Sequence, residues 1–168
     1  VSPSLSRAGG TTNLEGRKLA ATTKTKTKNQ KVSTIANIVI DLGNSETRVI
    51  VQSGSEQRMV TLPNRFAQIE SIEVIPKNYH EAENHEDRTY TFEVEGHTFT
   101  AGRFPDVELS DREERPSSLE KKHESHLTDL MLNMAFSAAY EEMAEIHGAD
   151  EDNLDVEWNV VVLVSPSD

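Results

Sequence analysis

The sequence predicts an α/β domain, and three observations support this class. Segments with strand composition follow one another between Ile35 and Leu62 and are separated by turn residues. Apolar residues then recur at helical spacing up to His147. A nearly continuous apolar run, Val156–Val164, follows this helix. Strands, a helix and a further strand in this order are typical of a mixed sheet that is covered by a helix.

Three strands open the predicted domain. Ile35–Asp41 and Thr47–Gln52 are rich in β-branched residues, and Ser53–Ser55 forms the next turn. Arg58–Leu62 is the third strand and ends before Pro63. Because short turns join antiparallel neighbours, these strands are expected to form an antiparallel meander.

An inserted region, residues 69–124, separates the meander from the helix. Alternating residues on either side of Gly96 predict a hairpin with Tyr90, Phe92 and Val94 on one face. The region is expected to contain, in order, an extended segment (Ile69–Ile75), a polar loop (77–88), the two hairpin strands (Thr89–Glu95 and His97–Ala101) and an acidic connection (105–124).

The long helix is expected to begin at about Leu119 or Ser125 and to end at His147. Its apolar positions form one stripe, which predicts packing against the core rather than a groove for a partner. The stripe consists of Leu127, Leu130, Met131, Met134, Ala135 and Ala138, and is widened by Phe136, Ala139, Met143 and Ile146. The apolar run of Val156–Val164 predicts a central strand buried on both faces, with Trp158 in the core.

The net charge of −12 is unevenly distributed along the chain. Residues 1–34 contain seven Lys or Arg and one acid, whereas residues 35–168 contain ten Lys or Arg and 28 acids. The basic segment is predicted to be a disordered tail or linker, with a docking arm that orders on a partner as the alternative. Since phosphate contacts need Lys and Arg, direct nucleic-acid binding is expected only through residues 1–34.

Composition excludes several classes of function. The chain has no Cys, which removes disulfides, thiolate catalysis and Cys-based zinc sites. No run approaches the ~18 apolar residues that cross a bilayer, so no membrane partner is expected. The chain begins with Val and residues 1–30 lack an apolar signal core, so we expect a fragment, a processed product or a trimmed chain.

The turn between the first two strands carries the candidate site. Gly43 allows backbone N–H groups to form an anion-binding nest, and Ser45 and Thr47 add hydroxyl donors. Asp41 suits the water shell of Mg²⁺, and Arg48 adds a positive charge, so the turn suits a nucleotide phosphate tail. The alternative is an ordinary Gly-Asn hairpin turn. The candidate cofactor-binding residues are Asp41, Gly43, Asn44, Ser45, Thr47 and Arg48, and Asp41 is the candidate magnesium residue.

From Ile35 to Asp168, the order of these motifs resembles the N-terminal half of the bacterial actin-like ATPases, especially the plasmid-segregation actins of the ParM and Alp types. Ile38–Arg48 resembles the first phosphate loop of this family, and Thr61–Phe66 resembles its short Pro-containing segment. Val94–Gly102 resembles its hairpin that ends in Gly. Leu127–Tyr140, followed by Val160–Val164, resembles its long helix and central strand.

The resemblance implies a ribonuclease-H-like fold, ATP with Mg²⁺ in a cleft between two halves, and head-to-tail filaments of identical subunits. Asp41 would orient the hydration shell of the metal, the Gly43–Thr47 segment would contact the β- and γ-phosphates, and Arg48 would offset their charge. The implied setting is plasmid or phage DNA segregation in the bacterial cytoplasm, with a DNA-binding adaptor as a further partner. No catalytic residue is assigned within this chain, which is not expected to hydrolyse ATP alone.

Three departures from the family pattern leave other functions open. Glu46 places a carboxylate at the tip of the turn, Val164–Pro166 replaces a Gly-Leu-Pro segment, and the chain ends before the second phosphate loop. Glu46, the missing second phosphate loop, the absence of an initial Met and the basic tail favour the alternative of a non-catalytic structural or interaction protein, such as an assembly or virion component. A sugar-kinase or chaperone relative on the same fold is the third possibility.

Histidines and paired carboxylates offer weaker candidates. None of the histidines forms a His-x-x-x-His pair, although His123 and His126 could share one helical face with Glu124 nearby. Positions at the surface are favoured for all six: His80, His85, His97, His123, His126 and His147. Asp129, Glu141 and Glu142 could pair as catalytic carboxylates, but a solvated helix face explains them better.

Overall fold

The computed structural model describes residues 31–116 and 126–164. The predicted basic tail therefore lies outside the described residues, except for its last four positions. The strands of the described residues are β1 (Val32–Leu42), β2 (Glu46–Ser53), β3 (Glu56–Pro63), β4 (Phe66–Ile69), β5 (Thr89–Val94), β6 (His97–Gly102) and β7 (Leu154–Val164). The α-helices are α1 (Lys77–His80), α2 (Arg103–Glu108) and α3 (His126–His147).

The strands form two sheets. The larger sheet has the order β3-β2-β1-β7, in which β1, β2 and β3 are antiparallel neighbours and β7 runs parallel to β1. The smaller sheet has the order β4-β6-β5 and is antiparallel throughout. The predicted α/β class, with its meander and mixed sheet, is therefore confirmed.

The core lies between α3 and one face of the larger sheet. Along β1, Ile38, Ile40 and Leu42 are fully buried, because alternate residues of a strand face the same side. The predicted stripe of α3 packs on this face, and all six of its residues are buried. The helix is therefore part of the core, as its periodicity predicts.

The predicted burial of the last strand is wrong. Strand β7 is present and pairs with β1, but it lies at the edge of the sheet formed by the described residues. Only Leu154 is buried on it, whereas Val160–Val164 are 40–52% exposed. The aromatic side chains of α3 cover its first half, where Trp158 packs edge-on against Phe136 and Tyr140. Among the described residues, no helix covers the second half.

The predicted extended segment at Ile69–Ile75 is also wrong. Strand β4 ends at Ile69, and a single 3₁₀ turn follows at Ile72–Val74. The Ser71 hydroxyl accepts a hydrogen bond from the backbone N–H of Glu73 (3.3 Å) and caps this turn. Ile75 then packs with Ile69 and Phe104 in a second, smaller apolar cluster. The capping Ser and this cluster bend the chain, although the segment is rich in β-branched residues.

The other departures concern short helices. The predicted polar loop 77–88 contains α1 and a 3₁₀ turn at His85–Asp87. The start of the predicted acidic connection, 105–124, is helical, because it lies within α2. Helix α3 is described from His126, so its predicted start at Leu119 or Ser125 lies outside the described residues. No helix in the described part of the chain is long and apolar enough to span a bilayer.

Candidate functional site

The turn between β1 and β2 brings the candidate residues together. The backbone N–H of Gly43 donates a hydrogen bond to the Glu46 carbonyl oxygen (3.1 Å) and closes the turn. A Cβ atom at position 43 would lie 2.5 Å from the same oxygen, a distance that side chains do not tolerate. Gly43 is therefore needed for this close approach, rather than for a left-handed backbone conformation.

Asn64, a buried residue that the sequence analysis did not single out, forms hydrogen bonds with the turn. The backbone N–H of Asn64 donates to the Ser45 carbonyl oxygen (2.9 Å), and its side-chain Nδ2 donates to the Gly43 carbonyl oxygen (3.0 Å). Its Oδ1 accepts a hydrogen bond from the Thr47 hydroxyl (2.8 Å). Asn64 and Thr47 are both completely buried. The Thr47 hydroxyl, a predicted phosphate donor, is therefore buried and donates its hydrogen bond to Asn64.

The exposed side of the turn presents backbone donors. Asn44 and Ser45 are exposed, and no described residue accepts a hydrogen bond from their backbone N–H groups or from the Ser45 hydroxyl. Because the Gly43 carbonyl oxygen is bound to Asn64 Nδ2, the N–H of Asn44 in the same peptide group points away from Asn64, on the exposed side of the turn. Such a surface attracts anions.

Asp41 lies beside the turn, near the end of β1. It is half-buried, on the sheet face opposite to Ile40 and Leu42, and it is paired in register with Arg48 of β2. Among the described residues, its carboxylate has no hydrogen bond or ion pair. An unpaired carboxylate within a few residues of an exposed N–H donor fits a hydrated Mg²⁺ that accompanies a phosphate group.

The positive charge of the turn is already paired. The Arg48 guanidinium donates to Glu46 Oε1 from Nη2 (2.5 Å) and from Nε (3.0 Å). Both side chains are well exposed, so solvent weakens this ion pair. The Glu46 carboxylate is thus directed along the strand to Arg48. It partly neutralises the Arg48 guanidinium, the cation that the sequence analysis predicts to contact phosphate.

A second polar cluster links the insertion to α3 and overturns two expectations. His85 accepts a hydrogen bond at Nδ1 from the Tyr90 hydroxyl (2.5 Å) and contacts Glu142 Oε1 through Nε2 (2.5 Å). Burial, assisted by Glu141, raises the pKa of Tyr90 far above its usual value, so the phenol stays protonated and donates. Glu142 is buried, with its side chain only 7% exposed, and Arg58 lies 3.5 Å from its Oε2.

The expectation of a surface histidine is therefore wrong for His85, and that of a solvated helix face is wrong for Glu142. Arg88 extends the cluster by an ion pair with Glu141 and a hydrogen bond to the Ala82 carbonyl oxygen (2.8 Å). Residues 31–116 and 126–164 contain no group of His, Cys, Asp or Glu arranged to hold a metal ion. His123 lies outside them. The cluster is thus a structural connection between α3 and the loop that precedes β5.

Comparison with solved structures finds similarity in fold to ParM proteins. The structure is similar to Bacillus thuringiensis ParM in its apo form, with a TM-score of 0.50 and 13% identity, over 76% of this chain and 34% of that chain. A second similar structure is apo pSK41 ParM, with a TM-score of 0.42 and 9% identity, over 79% of this chain and 50% of that chain. No family model and no curated protein matches the sequence.

The chain is therefore a mixed α/β subdomain that resembles part of the ParM actin-like fold. It spans about one third of the length of the Bacillus thuringiensis protein.

Proposed function

We propose that this domain is part of an actin-like, nucleotide-dependent protein that forms filaments and acts in plasmid or phage DNA segregation or positioning. The observation that carries the proposal is the turn at Gly43–Glu46, in which Asn44 and Ser45 are exposed and follow closely after Asp41, whose carboxylate no described residue pairs. A triphosphate and a hydrated divalent cation need these two features side by side. The similarity in fold to ParM over 76% of this chain supports the proposal, and the turn joins the first two described strands.

In this proposal, different residues of the turn bind the phosphate groups and the hydrated metal. The backbone N–H groups of Asn44 and Ser45 and the Ser45 hydroxyl donate to phosphate oxygens, while Asp41 binds water molecules of the Mg²⁺ shell. When bound, the metal offsets the negative charge of the triphosphate. Arg48 adds to this attraction only when its contact with Glu46 opens. ATP hydrolysis is assigned to a longer protein that contains this chain, because the described site binds and orients phosphate without offering a catalytic base.

The charge of the domain limits its partners. Residues 35–168 carry 28 acids against ten Lys or Arg, so a DNA cargo would be held by an adaptor protein or by the basic residues 1–34. The other partner is a second copy, since head-to-tail contacts that do not close into a ring give filaments. The bacterial cytoplasm is the compartment that this role requires.

Mg-ATP should stabilise the complete gene product, and Asp41→Ala should weaken this binding. We expect a loss of roughly tenfold in affinity, about 1.4 kcal/mol, because the variant lacks the carboxylate that holds the hydrated metal. Thermal unfolding with and without Mg-ATP measures the effect, since a ligand that binds the folded state raises the Tm.

Asp155→Ala is the matched control for this experiment. Asp155 lies at the start of β7, is 58% exposed and, within residues 31–116 and 126–164, forms an ion pair with the exposed Lys31 at 3.2 Å. Its removal should leave the affinity for Mg-ATP unchanged. If Mg-ATP leaves the Tm of the wild-type protein unchanged, or if both variants bind as the wild type does, the proposal is wrong.

A non-catalytic structural or interaction protein is the second candidate, and the Glu46–Arg48 ion pair favours it. Under the nucleotide proposal, Glu46→Ser should release Arg48 and tighten Mg-ATP binding by about threefold, the scale of an exposed ion pair. Glu56→Ser, at the tip of the β2–β3 hairpin, is the control and should change nothing. Titration with a fluorescent ATP analogue measures both variants. Absence of binding in the wild type and in Glu46→Ser would favour the structural role.

A further inference from the structure

We infer that Asn64 is a positioning residue for the phosphate-binding turn, and this inference rests on the proposed function. Asn64 lies between β3 and β4, outside the turn, and its side chain is fully buried. It therefore cannot contact a phosphate itself. Its task is to fix the orientation of the Gly43–Asn44 peptide group, whose N–H is one of the proposed phosphate donors.

The geometry of the peptide bond connects Asn64 to the open donors. In a trans peptide, the C=O of one residue and the N–H of the next point in opposite directions. The Gly43 carbonyl oxygen is bound by Asn64 Nδ2 at 3.0 Å, so the N–H of Asn44 points away from Asn64. The Ser45 carbonyl oxygen is bound by the Asn64 backbone N–H at 2.9 Å. One residue thus binds the peptide groups on both sides of the Asn44–Ser45 peptide, which carries the Ser45 N–H.

The hydrogen-bond partners demand an amide at this position. The Gly43 carbonyl can only accept, so the side-chain group that faces it must be a donor. The Thr47 hydroxyl donates to the other side-chain atom, Oδ1. Aspartate has the same shape, but it would place an acceptor oxygen against the Gly43 carbonyl. An apolar residue would leave both Gly43 and Thr47 unpaired in the interior.

Asn64 is itself held by its neighbour. The Arg65 guanidinium donates from Nη1 to the Asn64 carbonyl oxygen (3.1 Å) and from Nε to Asp106 (3.3 Å). The backbone N–H of Arg65 also bonds the Pro63 carbonyl oxygen (3.0 Å). Asn64 therefore cannot follow the turn if the turn reorients. Without its side chain, the Gly43–Asn44 peptide is free to rotate, and the N–H of Asn44 loses its fixed direction.

The test compares Asn64→Asp and Asn64→Ser with Thr89→Val in the complete gene product. Thr89→Val is the matched control, because it removes one buried hydrogen bond, from the Phe104 backbone N–H to the Thr89 hydroxyl (2.9 Å), far along the chain from the turn. All three variants should lower the Tm. Only the Asn64 variants should weaken Mg-ATP binding, by roughly tenfold for Asp and by less for Ser, which adds no repulsion.

Nuclear magnetic resonance separates positioning from mere stabilisation. In the wild type, Mg-ATP should shift the amide resonances of Asn44 and Ser45, and in folded Asn64→Ser these shifts should shrink. If the wild type binds Mg-ATP but Asn64→Ser keeps its affinity within about twofold and its amide shifts, the inference is wrong and the proposed function stands. If the wild type does not bind Mg-ATP, both are wrong. Should Asn64→Asp fail to fold, the Ser variant alone decides.

Discussion

Replacing Gly102 by Ala should lower the free energy of unfolding by about 3 kcal/mol or more, through two independent effects. Gly102 ends β6 with φ 97° and ψ −134°, a backbone conformation that side chains adopt only at a cost of about 1–3 kcal/mol. A Cβ atom would also lie 2.5 Å from the Arg88 carbonyl oxygen. Relieving that clash costs a similar amount, because backbone on both sides is fixed.

The surrounding hydrogen bonds explain why the backbone cannot yield. The Arg88 carbonyl oxygen accepts a bond from the Arg103 backbone N–H (3.2 Å), and the Gly102 N–H bonds the Arg65 carbonyl oxygen (2.9 Å). The smaller sheet, the residue after Asn64 and the start of α2 thus meet at one glycine. Any shift there would disturb all three.

Gly96→Ala is the matched control, and urea unfolding measures both variants. Gly96 also has a positive φ (79°), but no heavy atom lies within 4 Å of a Cβ built on it. It should therefore lose only the conformational term, about 1 kcal/mol. Equal losses in the two variants would show that the Arg88 contact contributes nothing.

Six of the seven described strands could be predicted from the sequence because their information is local, whereas β4 (Phe66–Ile69) was not predicted. Alternation of β-branched residues marks β1, and the residues of the α3 stripe recur every three or four positions. The structure buries the residues that these patterns assign to the core. The failure at β7 has a physical reason: an apolar composition shows that a strand can be buried, but only its neighbours decide whether it is. Val160–Val164 lie beyond the part of the strand that α3 covers.

The site could be predicted only in part, for a related reason. Asp41 and the turn lie within one short motif, so their proximity is visible in the sequence. Asn64 is 21 positions from the Gly43 carbonyl that it binds, and Glu142 is 57 positions from His85. A polar residue whose partner is so distant looks like any surface residue in the sequence. Buried Asn or Glu residues with remote partners are therefore what local patterns miss.

Glu142→Ala should cost about 3 kcal/mol of unfolding free energy, although the sequence places this residue on a helix with many acids. Its carboxylate is buried and contacts His85 Nε2 at 2.5 Å and Arg58 Nη1 at 3.5 Å. Removing it leaves the half-buried imidazole without its acceptor and leaves a void where the buried side chain was. The loop that carries His85 should also detach from α3, which hydrogen exchange at residues 85–90 would detect.

Glu145→Ala and Glu142→Gln make this prediction specific. Glu145 contacts the same Arg58 at 3.6 Å, but its side chain is 59% exposed, so its loss should change stability by less than about 0.5 kcal/mol. Glutamine at position 142 keeps the oxygen that His85 needs and loses the charge, so it should cost about 1 kcal/mol. Urea unfolding should therefore rank the variants as Glu145→Ala, Glu142→Gln and Glu142→Ala in increasing loss. A Glu142→Ala variant as stable as Glu145→Ala would mean that the insertion is held to α3 by apolar packing alone, with the buried carboxylate contributing nothing.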